Sequence, residues 1–420
     1  MTLFTRHFKG PIARGTVRTS VVLGLRLVVQ AGTLLIVARM LGPGAFGVFA
    51  GVAALAVLLG TLSTFGMHLV LLGEVSKDPA RRGEVLPYAI PATLLCGSLL
   101  LGIYWAICRW LLDVQSIAIG TLLLIGVAET LLQPLFSLMV SEHHGRGRVA
   151  RSQLLNILPF SLRLVAAGLI FALKPGQSLL VYAYCYAAAS LLAILCGAFM
   201  LPAAWPSWRR WYLPRQQKWA EAFGYAVMGI SRIGPTELDK TLALRLLPQG
   251  VAGVYAAGAR VIAAIATPVS AMMLSALPRL FREGHKPDSG RLLLWMYAAA
   301  SIYGVLLAGV LWLAAPVYDI IFGAQYHGIS DTIRLLCMAV PALSLRIVAG
   351  NTLMALGKPW MRVAFEAAGS AALLVAAILL TSKYHSIGMP LALICAEWVM
   401  ACTGLVMTLK NKTRAFEAQP

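Results

Sequence analysis

Arg39-Met-Leu-Gly-Pro-Gly-Ala-Phe-Gly-Val-Phe-Ala50 reads as a tight turn running into an apolar helix. A second version lies 206 residues further on, as Arg245-Leu-Leu-Pro-Gln-Gly-Val-Ala-Gly-Val-Tyr-Ala256. Arg39/Arg245, Leu41/Leu247, Gly44/Gly250, Gly47/Gly253, Val48/Val254 and Ala50/Ala256 are identical, and Phe49 faces Tyr255. At the same offset Arg26 falls on Arg232, and arginines inside apolar helices are scarce. The repeat implies two six-span halves, 1–212 and 213–420, related by an axis along the membrane normal, an arrangement that holds substrate at the repeat interface. Gly47-x-x-x-Gly51 and Gly253-x-x-x-Ala257 allow close helix approach.

Working outward, the flanks of both copies are apolar for long stretches. Of the 420 residues, 59% are hydrophobic and 12% charged, with mean hydropathy +0.79. A soluble domain averages about 45–50% apolar and about 25% charged, so this chain lacks the polar surface to dissolve itself, and it is too apolar for disorder. A spanning helix takes about 20 mostly apolar residues. About twelve such segments occur: Arg14–Met40, Ala45–Gly73, Leu86–Trp110, Ser116–Ser141, Ser152–Leu173 and Ser178–Leu201 in the first half. Trp219–Leu246, Val251–Leu280, Leu292–Ala315, Asp331–Leu356, Val363–Thr381 and Ile387–Leu409 follow in the second. The expected fold is an all-α polytopic membrane protein in two pseudo-symmetric lobes.

The net charge of +19 could suggest nucleic acid, but the bases punctuate the gaps between apolar runs and do not line one soluble face. With the N-terminus inside, 23 Lys and Arg fall in cytoplasmic loops, and only Arg39, Arg109, Lys174 and Lys383 lie on the other side. The positive-inside rule therefore places both termini in the cytoplasm. The first span is too long for a signal peptide and holds Arg26 and Gln30, so it is expected to stay. No external loop has room for a catalytic domain.

Eight cations remain within spans, against Glu129, Glu237, Asp239, Glu366 and Glu397, with Glu221 and Asp331 near span ends. Each charge at mid-bilayer costs about 2.5–3.5 kcal/mol, so these side chains must face one another or a hydrated cavity. Arg245 and Arg334 sit near external ends, where they can snorkel. The deeper set is Arg26, Arg163, Arg232, Lys240, Arg260 and Arg346. Either these pair with the intramembrane acids or, because cations exceed acids, some form a cationic cavity that accepts an anion. Arginine suits phosphate because its planar fork grips two oxygens and stays charged.

The seventh span is the least ordinary, with Arg232-Ile-Gly-Pro-Thr-Glu-Leu-Asp-Lys240 in its interior. Pro235 removes a backbone hydrogen bond, so a kink is expected there, serving as a hinge or as a structural bend. Helical spacing puts Arg232, Thr236 and Asp239 on one face and points Asp239 and Lys240 apart. Glu237 and Asp239 are candidate coupling groups.

Other signals are weaker. Gly145-Arg-Gly147 follows no strand, and His143 and His144 beside it are expected to be solvated. Trp205, Trp208, Trp211 and Tyr212 beside Arg209 and Arg210 read as an interfacial anchor linking the halves. The seven cysteines show no C-x-x-C spacing and read as small hydrophobes, not as disulfides or a metal site. No catalytic triad, carboxylate pair or metal-ligand cluster stands out, and no cofactor is expected.

Ala38-Arg-Met-Leu-Gly-Pro-Gly-Ala-Phe-Gly-Val-Phe49 resembles the first-loop signature of Wzx-type polysaccharide flippases of the MOP (multidrug/oligosaccharidyl-lipid/polysaccharide) superfamily. Leu238-Asp-Lys-Thr-Leu-Ala-Leu-Arg-Leu-Leu247, Gly253-Val-Tyr-Ala-Ala257 and Leu277-Pro-Arg279 resemble the start of that family's second lobe. Phe322-Gly-Ala-Gln-Tyr326 and Leu353-Met-Ala-Leu-Gly-Lys-Pro359 resemble its later elements, so the matches run from about residue 15 to residue 360. The resemblance implies a two-lobed, V-shaped alternating-access transporter in the bacterial inner membrane. It would move an undecaprenyl-pyrophosphate-linked oligosaccharide to the periplasmic leaflet, for exopolysaccharide or lipopolysaccharide assembly, beside polymerase or export machinery. Coupling could come from H+, Na+ or the membrane potential. A drug or cation exporter of the same superfamily would want an acidic cavity. A membrane glycan polymerase or ligase would want a large catalytic loop. A non-transporting scaffold would leave the buried arginines unexplained.

Overall fold

The computed structural model describes residues 11–112, 114, 117–173, 179–270, 272–273 and 289–417. The expected span ends at Ser116, Ser178 and Leu280 lie outside them, as do Arg6, Lys9, Lys174, Arg282, Lys286 and the Leu277–Arg279 motif. The described residues are almost wholly helical and contain no strand.

The first helical run, Pro11–Ser63, is broken only at Gly42, whose φ of 69° and ψ of 168° are open to glycine and costly for other residues. It therefore forms α1 (11–41) and α2 (43–63). α3 (Met67–Lys77) and α4 (Arg82–Ala106) follow. α5 (Ile119–Val127) passes through a wide π-turn, Ala128–Leu132, into α6 (Gln133–Gly145). α7 (Val149–Leu173) and α8 (Leu179–Met200) precede the link to α9 (Gln216–Leu246) and α10 (Gln249–Ile265). The rest is α11 (Ser289–Phe322), α12 (Ile329–Leu336), α13 (Val340–Ala355), α14 (Pro359–Tyr384) and α15 (Gly388–Glu417).

Among the described residues nine helical stretches are long and apolar enough to cross a membrane. Gly24–Ser63 and Pro359–Lys410, at 40 and 52 residues, are each long enough to cross twice. At 1.5 Å per residue they reach about 60 Å or more against a core of about 30 Å, and they break at Gly42 and at His385–Ile387 respectively. α9 is an unbroken 31-residue helix, also long enough to cross, that carries charges in its interior. About twelve crossings result, the architecture expected from the sequence. One boundary differs. The expected span Ala45–Gly73 ends at Ser63, because Phe65 (φ 45°) and Gly66 (φ 79°) turn the chain into α3. Gly66 packs so tightly on the Ala222 carbonyl that a Cβ there would overlap it.

The chain divides into two compact units: Met1–Leu41 with Val52–Ile230, and Gly42–Gly51 with Ser231–Pro420. In the first, Met67, Leu71 and Val75 of α3 pack on Leu86 and Ile90 of α4 and on Leu138, with Phe65 edge-on to Trp219 at 5.0 Å. In the second, Phe46 meets Tyr326 at 6.4 Å and Tyr326 meets Phe322 at 5.3 Å, while Leu353, Phe365 and Met400 join α13, α14 and α15. Large apolar side chains such as Leu313 and Ile320 point outward, three-quarters exposed, as lipid-facing residues must.

The repeated motif meets itself inside the second unit. A Cβ on Gly47 would overlap the Gln249 carbonyl oxygen, and one on Gly253 would overlap that of Pro43. Both pairs, 47/253 and 43/249, are one repeat length apart, so α2 and α10 cross backbone to backbone through equivalent positions.

Candidate functional site

In the first unit the polar centre is built on Glu129, which sits in the π-turn between α5 and α6. Such a turn adds a residue to the helix and re-aims its side chains, a device frequent at functional sites. The widened backbone fits because glycines oppose it: Gly60 lies on the Glu129 carbonyl and Gly97 on that of Thr130. Glu129 thereby faces Arg163 of α7 at 2.8 Å and accepts a hydrogen bond from the Tyr186 hydroxyl of α8. Arg163 also donates to Ser190 Oγ at 2.8 Å and lies 3.7 Å above the Tyr186 ring. Arg26, on α1, stands 5.2 Å over the ring of Phe160, and Arg163 is 6.0 Å from the same ring.

In the second unit Lys240, on α9, bridges Asp239 at 3.0 Å and Glu237 at 3.8 Å and donates to the Thr236 carbonyl. Tyr255 of α10 donates to Asp239 at 2.9 Å. Arg346 of α13 pairs with Glu397 of α15 at 2.9 Å, both buried. Arg362 pairs with Glu366 one turn along α14 at 3.0 Å, and Ser231 donates to the other Glu366 oxygen at 3.0 Å. Arg232 is exposed and lies in the field of Arg362 and Glu366. Arg260 is half-buried, and its Nε is shielded without an acceptor. Among the described residues neither Arg232 nor Arg260 forms an ion pair. Pro235 lies within a continuous helix, with Thr236 Oγ1 donating back to the Ile233 carbonyl.

The six deep cations thus fall into two groups. Arg163, Lys240 and Arg346 are buried against carboxylates, while Arg26 rests on an aromatic face and Arg232 and Arg260 are outside ion pairs among the described residues. Arg334, on α12, pairs with Asp331 at 3.3 Å and lies 5.6 Å over Trp312. Two expectations are corrected. Asp239 and Lys240 do not point apart: both are buried, and the flexible lysine stem folds back to its neighbour where water cannot compensate it. His143 is not solvated but fully buried, because α6 continues to Gly145 and packs against Leu72 and Val75 of α3. Beside it Glu142 binds Arg82 at 2.6 Å, and Arg82 also donates to the Ala203 carbonyl at 3.0 Å. His144, by contrast, lies outside the core.

Phe160, Tyr186, Ser190 and Ser231 carry no mark in the sequence, and Tyr255 is marked there only as a repeat position, since nothing in hydropathy or spacing identifies an aromatic or a serine as a partner of a distant charge. In the link between α8 and α9, Trp205 packs into the first unit. Trp208 and Tyr212 are exposed, and the Tyr212 amide binds the Pro87 carbonyl at 3.1 Å. Among the described residues no group of three or more metal-ligating side chains occurs.

About twelve membrane crossings in this arrangement define a polytopic, all-helical membrane protein. The chain is similar to an inward-facing multidrug resistance MATE family transporter of the MOP superfamily, with 13% identity and a TM-score of 0.73 over 96% of this chain and 100% of the other. It is similar to the lipid II flippase MurJ in an inward closed conformation, with 11% identity and a TM-score of 0.72 over 95% and 91%. A third likeness is a MOP superfamily transporter from Pyrococcus furiosus, with 15% identity and a TM-score of 0.64 over 95% and 96%. For that protein a reversed polarity of the binding pocket is held to suggest a different function. These neighbours are transporters and a flippase, not enzymes. Within this fold, residues 12–283 match the polysaccharide biosynthesis protein family, and the chain belongs to that family. No curated protein sequence matches it.

Proposed function

We propose that this protein moves an undecaprenyl-pyrophosphate-linked oligosaccharide from the cytoplasmic to the periplasmic leaflet of the bacterial inner membrane, with both termini in the cytoplasm. The observation that supports this reading is the imbalance of intramembrane charge. Among the described residues Glu129, Glu237, Asp239, Glu366 and Glu397 are each committed to a cation, while Arg232 and Arg260 are in no ion pair. A guanidinium left in a membrane protein without a carboxylate calls for an anion, and a diphosphate supplies oxygens in the geometry its fork prefers.

In this reading Arg26, Arg232 and Arg260 are each ligands of the anionic substrate, transport proceeds by alternating access, and the lipid tail stays in the bilayer. Arg163, Lys240 and Arg346 hold the helices that present them, and Pro235 is the bending point of α9. Moving an anion out of a negative interior is favourable by about 2.3 kcal/mol per charge per 100 mV, so the membrane potential can drive the step. Protonation of Asp239 or Glu237 is the alternative coupling, with H+ or Na+ as the ion. A polymerase or other export machinery is the expected recipient of the glycan.

A drug exporter is the competing function, favoured by the likeness to a multidrug transporter. It would need uncommitted carboxylates for cationic cargo. The test is glycan export from cells carrying Arg26→Ala with Arg232→Ala. Export is expected to stop while the protein still inserts and accumulates; full export would remove the proposed site. Restored drug tolerance in an efflux-deficient host would favour the exporter.

A further inference from the structure

A guanidinium over an aromatic face is attracted by the negative centre of the ring, most strongly where water is excluded. Phe160 is such a face for two cations from different helices, Arg26 of α1 at 5.2 Å and Arg163 of its own helix at 6.0 Å. The two are not equivalent. Arg163 is 7% exposed and tied to Glu129, Ser190 and the Tyr186 ring, so its charge is matched and its position set. Arg26 is only half-buried. Its helix approaches α7 again at Gly32, where a Cβ would stand 3.4 Å from Leu164. Glu129 neutralises Arg163, which lowers the repulsion between two arginines that share one ring.

We propose that Phe160 is a positioning residue for the diphosphate of the lipid-linked substrate, its ring holding the Arg26 guanidinium in the orientation that receives phosphate oxygens. The inference rests on Arg26 being a substrate ligand, as proposed above. The cluster behind the ring then acts as a chain of supports. Glu129, Tyr186 and Ser190 fix Arg163, Arg163 fixes the ring, and the ring fixes Arg26. A leucine at 160 would fill much of the space but offer no charge-bearing face.

The test is binding of undecaprenyl pyrophosphate, without glycan, to the full-length protein in lipid nanodiscs. Phe160 is replaced by phenylalanines carrying one, two and three fluorines, which keep the shape while draining the face of the ring. Affinity is expected to fall stepwise with each fluorine and by about tenfold for Phe160→Leu, the upper part of the cation–π range. Phe160→Trp and Phe160→Tyr should retain binding. In an Arg26→Ala background the fluorine series should be flat. Unchanged affinity across the series, with Arg26→Ala still weakening binding, overturns the role of Phe160 and leaves the function standing. Unchanged affinity in Arg26→Ala itself removes the substrate reading, and this inference with it. A stepwise fall that persists without Arg26 assigns the ring to something other than that arginine and also overturns the proposal.

Discussion

The two units hold their arginines by different means. In the first, Glu129 serves the buried Arg163 between helices, and the ring of Phe160 lies under Arg26. In the second, four carboxylates and five cations are threaded through α9, α10, α13, α14 and α15, with serine and tyrosine hydroxyls completing the set. Arg26 and Arg232 occupy equivalent repeat positions yet have unlike neighbours, a phenylalanine for one and the Arg362–Glu366 pair for the other. Repetition has preserved the charge and left each unit to find its own way of tolerating it in lipid. The second unit, with more buried ions, should be more sensitive to single charge deletions.

The largest effect is expected where the repeated motif meets itself. Gly253→Leu should abolish accumulation of folded protein, because the side chain would have to displace the Pro43 backbone; this reads out as loss of a monodisperse peak in size-exclusion chromatography. Next come the buried pairs. Glu397→Leu leaves Arg346 uncompensated and should cost about 3–5 kcal/mol, lowering the unfolding temperature in detergent, whereas Arg346→Leu with Glu397→Leu should recover most of the loss. Glu129→Leu should be milder, since Ser190 and the Tyr186 face continue to hold Arg163. An equal loss at the two sites would erase the distinction between the units. Tyr255→Phe removes one hydrogen bond to Asp239 and should cost about 1–3 kcal/mol.

The smallest effect lies outside the membrane. Lys77 and Arg81 hold the Glu74 carboxyl down to about 2 by hydrogen bonds, well below its ordinary value near 4.5. A lowered folded-state value means the contribution is present above pH 4.5 and is lost as pH falls toward 2. Glu74→Gln should therefore lower stability slightly at pH 7 and make no difference near pH 2, as followed by unfolding in detergent.

Much of this was legible in the sequence. Apolar runs of about 20 residues can do little else than cross a bilayer, and the Gly-Pro-Gly turn at 42–44 declares itself because few other residues tolerate that backbone. The repeat located the place where two helices touch backbone to backbone. What could not be read is pairing across helices. Arg163 and Glu129 lie 34 positions apart and Arg346 and Glu397 lie on separate helices, so no local period links them. The π-turn at Ala128–Leu132 was equally hidden, since the glycines that leave room for it, Gly60 and Gly97, are distant in sequence. His143 misled for the same reason: its neighbours in sequence are polar, but its helix packs at Gly145 on Leu72 and Val75 of an earlier helix, and the histidine is buried.

The segment Gly42–Gly51, early in the chain, is packed with residues that follow it by about 200 positions. At ribosomal rates of about 5–20 residues per second, it must wait about 10–40 seconds for the partner that will cover it. During synthesis that stretch is an unfinished surface in the membrane, so an insertion chaperone would find its best purchase there, and slowing translation between the two copies would lengthen the exposure.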